Sequence, residues 1–95
     1  LFIPNVISPT SPNPENSHVK IYGEAIASDQ FVFEIYNRWG LIVYETTDLS
    51  EAQNVGWDGT SNNEEKDNNV FTYIVRGEYI TGKGFEKTGT ITLVK

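Results

Sequence analysis

Residues 31–36 read Phe-Val-Phe-Glu-Ile-Tyr, and this alternation is the tightest constraint in the sequence. Successive side chains of an extended chain point to opposite faces. Phe31, Phe33 and Ile35 therefore share one face, and Val32, Glu34 and Tyr36 the other. A helix would scatter the same residues around its circumference. Asn37-Arg38-Trp39-Gly40 follows, with Gly40 able to take a positive φ, and residues 41–45 resume the β-rich pattern. The stretch predicts an antiparallel hairpin with one buried face.

The rest of the chain adds strands, not helices. Residues 1–8 form a short apolar run broken by Pro4, which lacks the N–H of a central strand and so predicts an edge. Residues 9–17 are dense in Pro, Asn and Ser and predict a loop. Residues 18–22 predict a short strand ending at Gly23, and residues 24–30 carry no clear pattern. Residues 46–55 are polar and predict a loop, as do residues 61–69. Residues 70–79 and 85–94 are β-rich and flank a turn at Thr81-Gly82-Lys83-Gly84. The sum predicts an all-β domain: an immunoglobulin-like antiparallel β-sandwich of about seven strands, with a small barrel as the other architecture.

With 95 residues the chain suits one domain spanning 1–95. Aromatics supply 13% of it, enough to fill a small core with few residues. The formal net charge of −6, with basic residues scattered, argues against nucleic acid and anionic membranes as partners. Absence of Cys removes disulfides and thiolate chemistry. His18 is the sole histidine, no Gly-x-Ser-x-Gly elbow accompanies it, and no zinc pattern is possible. Glu64, Glu65, Lys66 and Asp67 read as a solvated charge cluster, and no D-x-[DN]-x-[DN]-G calcium loop occurs. The expectation is a protein that is not an enzyme and takes no cofactor.

Three blocks carry more pattern than generic strands need. They are Phe2-Ile3-Pro4-Asn5-Val6-Ile7-Ser8-Pro9, then Phe33 through Glu45 with Asn37-Arg38-Trp39-Gly40 at its centre, then Gly56-Trp57-Asp58-Gly59-Thr60 with the later Lys87-Thr88-Gly89-Thr90-Ile91-Thr92-Leu93-Val94-Lys95. In this order they resemble the gliding motility-associated C-terminal domain of Bacteroidota, also called the type B C-terminal domain of the type IX secretion system. The resemblance covers nearly the whole chain. It implies an immunoglobulin-like sandwich that directs a larger cargo protein across the outer membrane to the cell surface or medium. It also implies the secretion machinery and a PorP/SprF-like outer-membrane protein as partners, and the expected mechanism is recognition of the folded domain and not of a linear peptide. Where the family usually has an Asn-Gly-Asp-Gly-rich loop, this chain has residues 10–18 without Asp or Gly, which leaves open any metal or partner contact the family makes through that loop.

The expected partner-binding residues are Arg38, Trp39, Gly40, Trp57, Asp58, Lys87 and Lys95. Each has a plainer reading. Trp39 could fold back and cap the core, Arg38 could pair with Glu34 or Glu45, and Trp57 could pack inside. Asp58 and Gly59 could shape their loop, and Lys87 and Lys95 could guard a strand edge. The last strand offers backbone groups for strand addition. The alternative function is a carbohydrate-binding module, with Trp39, Tyr44 and Tyr79 as an aromatic platform, or a structural adhesin module.

Overall fold

The computed structural model describes residues 1–8, 12, 17–59 and 70–93. Its strands are β1 (Val6–Ile7), β2 (Val32–Tyr36), β3 (Ile42–Thr46), β4 (Val70–Glu78) and β5 (Gly84–Leu93), with one helix, α1 (Leu49–Asn54). They form a five-stranded sheet in the order β1-β5-β4-β2-β3. All neighbours are antiparallel except β1 and β5, which are parallel. The predicted loops at 9–11, 13–16 and 60–69 lie outside the described residues.

Register explains why one face is buried. Phe33 sits opposite Val75, Ile35 opposite Tyr73, and Phe71 opposite Ile91, and all six are buried. Burying a side chain of this size contributes roughly 1.5–3 kcal/mol. Phe33 also meets the rings of Tyr44 and Tyr73 edge-on, at centroid distances of 5.9 and 6.4 Å. The intervening residues Glu34, Thr72, Arg76, Thr88 and Thr90 face the other way, into solvent. This is the one-sided burial that antiparallel sheets tolerate.

The covering layer differs from the expected second sheet. Ile3, Val19, Ile21, Ile26, Ala52 and Trp57 join the same core, but their segments pair only through the isolated bridges Phe2↔Tyr22, Val19↔Trp57 and Ile26↔Tyr79. Among the described residues the predicted seven-stranded antiparallel sandwich is therefore replaced by one mixed sheet under an irregular cover. Among the described residues β1 and β3 are the ends of the sheet and do not pair with each other, so these strands do not close into a barrel. The physical reason is visible in the backbone. Ala25 and Gln30 take φ values of 60° and 58°, which break extension between residues 24 and 31. Ile21 meanwhile donates its N–H to the Ala52 carbonyl of the helical segment at 3.0 Å, where a second sheet would need a strand.

The predicted loop at 46–55 contains α1. Asp48 caps it, accepting the Glu51 N–H at 3.2 Å, and Glu51 stands in the first turn where a carboxylate suits the helix dipole. Ala52 turns its small side chain into the core. The Tyr44 hydroxyl donates to Glu51 at 2.8 Å and ties α1 to β3. Burial first, and that acceptor second, hold the phenol well above its ordinary range. Gly56 ends the helix with φ +73°, the usual left-handed stop. It also brings the backbone against Val19, whose N–H and C=O bond Trp57 at 2.8 and 3.0 Å.

A Cβ at Gly56 would run into the Val19 carbonyl, whereas one at Gly82, also at positive φ, meets nothing within 4 Å. Urea denaturation should place Gly82→Ala about 1–2 kcal/mol below wild type, from the left-handed backbone alone. Gly56→Ala should lose about 1–3 kcal/mol more through overpacking. Equal losses would contradict the close approach of the 19–57 bridge.

Candidate functional site

The hairpin between β2 and β3 is built around one side chain. The ladder slips between Ile35 and Tyr36, so that Tyr36 faces Ile42. Asn37 follows and is buried, at 2% exposure. Its Oδ1 accepts the N–H groups of Trp39 at 2.9 Å and Leu41 at 3.0 Å. Its carbonyl accepts the Gly40 N–H at 3.0 Å, and its own N–H donates to the Leu41 carbonyl at 2.9 Å. The amides of residues 39, 40 and 41 thus all end on Asn37. Its Nδ2 is buried without a partner among the described residues. An Asn at the head of a turn does this because its side chain mimics a backbone acceptor. In the sequence Asn37 shows only as a turn former; its position directly before Arg38-Trp39 is the signal for more.

With the turn bonded inward, Arg38 and Trp39 face outward. Trp39 is 57% exposed, so it does not fold over the core. The Arg38 guanidinium lies 5.6 Å from the Trp39 ring centroid, within cation–π range. Glu34 does not take up Arg38; it accepts the Tyr36 hydroxyl at 3.0 Å. Gly40 has φ +83° and completes the tip, where Leu41 and Ile42 are also exposed.

The remaining expected residues do not join this site. Trp57 is 2% exposed and packs edge-on against Phe71 at 4.8 Å, so its ring belongs to the core. Asp58 is exposed beside it. Lys87 is half-buried opposite Val75, with β4 between its strand and β2. Lys95 lies outside the described residues. The aromatic platform is not assembled either. Tyr44 is half-buried on Glu51, and Tyr79 packs on Phe85 at 4.9 Å near the β4–β5 turn, at the opposite end of the sheet from Trp39. His18 pairs with Ser17 at 2.8 Å beside a shallow cavity of about 180 Å³ lined by Lys20, Asn54 and Val55. Among the described residues no cluster of three or more His, Cys, Asp or Glu could hold a metal.

The last strand is only partly available for strand addition. β1 already covers Thr92 and Leu93, and Thr92 donates its N–H to Asn5 at 2.8 Å. Antiparallel bonding alternates, so Glu86, Thr88 and Thr90 share that outward direction. Among the described residues no strand pairs with them on that side.

Asn37→Ala should remove two side-chain hydrogen bonds, lowering stability by roughly 1–3 kcal/mol. Amide hydrogen exchange should quicken at Trp39 and Leu41 well beyond the change across β4. Unchanged exchange at those two amides would show that the tip does not depend on Asn37.

No curated protein matches the chain. The family of the CHU_C Type IX secretion signal domain matches it over residues 1–93. That span takes in the hairpin, its Asn37-anchored tip and the whole described sheet. The chain therefore belongs to the type IX secretion signal domain family.

Proposed function

We propose that this domain carries a larger cargo protein to the type IX secretion machinery as a folded, non-catalytic signal. The exposed tip of Arg38, Trp39 and Gly40 is its recognition element. The observation that carries the sorting role is the family match over residues 1–93. A linear tag would need neither a buried Phe33 nor a buried Asn37, yet both set the direction in which Trp39 points. Trp and Arg are also the side chains that most often dominate protein interfaces. The flank of β5 that no described strand covers supplies a second contact by strand addition. The cargo is delivered outside the cell or to its surface, and the receiving partner is an outer-membrane protein of the PorP/SprF type, as in Bacteroidota with gliding-type machinery.

A fluorescent protein fused to residues 1–95 should appear outside cells only where the secretion machinery is intact. Trp39→Ala should cut export while leaving stability within about 0.5 kcal/mol of wild type. If Trp39 anchors the contact, its loss weakens partner affinity by about 2 kcal/mol, roughly 30-fold. Retention of the wild-type fusion in a competent strain would overturn the sorting role. Unfolding by Trp39→Ala would remove the recognition role of that residue.

A further inference from the structure

The solvent face of the sheet is divided along its length. Tyr36 sits between Ile42 on β3 and Thr72 on β4, and Thr72 sits opposite Thr90 on β5. One step further along, Val70 is opposite Thr92, and Thr92 is opposite Val6. Paired residues share a face, so these two rows form a continuous strip across the sheet. Val6, Ile42 and Val70 are about half exposed, and Thr72 and Thr90 are exposed. None of the strip carries a charge. Among the described residues the charged side chains of this face begin with Glu34 and Glu45, which are paired with each other, and end with the Arg76–Glu86 ion pair at 2.9 Å.

The uncharged strip lies at the same end of the sheet as the hairpin tip, because Tyr36 leads directly into Asn37. Arg38 is the one charged side chain among the described residues of the hairpin turn itself. We infer that the docking surface extends from the tip onto this strip, and that its occupant is a protein patch that is apolar and bears a carboxylate opposite Arg38. Charge selects this occupant. A net charge of −6 repels strongly acidic surfaces and anionic lipid, while no side chain of the strip is itself charged. Strands about 4.8 Å apart make the strip a few hundred Å² in area with the tip included, below the roughly 800 Å² per partner of a stable complex. A contact of that size falls in the weak, transient class of interfaces.

This inference rests on the sorting role and is tested beside it. Export of the fluorescent fusion is measured for wild type, Trp39→Ala, Thr90→Lys, Thr90→Glu, and Ile80→Lys at the opposite, β4–β5 end, with each fold checked by urea denaturation. Both charges at position 90 should lower export roughly tenfold, since either would be buried unpaired. Ile80→Lys should export like wild type. Wild-type export and a Trp39→Ala defect with unaffected Thr90 variants would confine recognition to the tip and overturn the extended surface. Loss with Thr90→Glu but gain with Thr90→Lys would mean an acidic partner surface, which contradicts the apolar one. Glycan-array binding by wild type that Thr90→Lys abolishes would assign the strip to a saccharide instead. Retention of the wild-type fusion would remove the sorting role and this surface together.

Discussion

Everything in this domain depends on the packing of Phe33 and Ile35 against Val75 and Tyr73. All are buried, and their register fixes β2 on β4. A slip of one residue would exchange faces, sending Phe33 and Ile35 to water and Glu34 into the core. The same phase decides what happens beyond the strand. Because Ile35 points inward, the bulge after it and the buried Asn37 leave Arg38 and Trp39 on the outside. Core packing thus aims the tip.

The two layers answer different needs. The long β4–β5 hairpin and β2–β3 give a continuous ladder, and their inner face supplies most of the large buried side chains. The cover needs only to exclude water from that face. It does so with single bridges, a short capped helix and the glycine contact at Gly56, where the chain turns under Val19. Gly89 performs a related task inside the sheet. A Cβ there would lie 2.7–2.9 Å from the Tyr73 ring, so the absent side chain makes room for an aromatic across the strand pair.

Strands with strict alternation were legible in the sequence. Residues 31–36, 41–45, 70–79 and 85–94 correspond to β2, β3, β4 and β5 with small differences at their ends. The helix was not, because a six-residue helix is too short to show its period. The cue that existed was Asp48 followed three residues later by Glu51, the pattern of a capped helix start. The cover was misread for another reason. Val19 and Ile21 alternate correctly for a buried strand, but alternation reports which face is buried and not what lies alongside. At the site, Trp57 is expected among the partner-binding residues with core packing as its plainer reading, and the structure buries the ring. Trp39 was ambiguous because exposure of a turn aromatic is set by the bonding of its neighbour Asn37. Lys87 is expected at the partner surface as a flank of the last strand, and the sheet order puts β4 between that strand and the hairpin that carries the tip.

Family membership places this chain among type IX secretion signals, and the fold gives that role a physical form. The signal is a surface, aimed by a core, and not a string of residues. Phe33→Asp tests this most directly, because it leaves every exposed tip residue in place while burying an unpaired carboxylate at the centre of the sheet. With periplasmic accumulation of the fusion verified by immunoblot, the variant should be trapped inside the cell. Export at the wild-type level from an unfolded Phe33→Asp domain would contradict recognition of a folded surface.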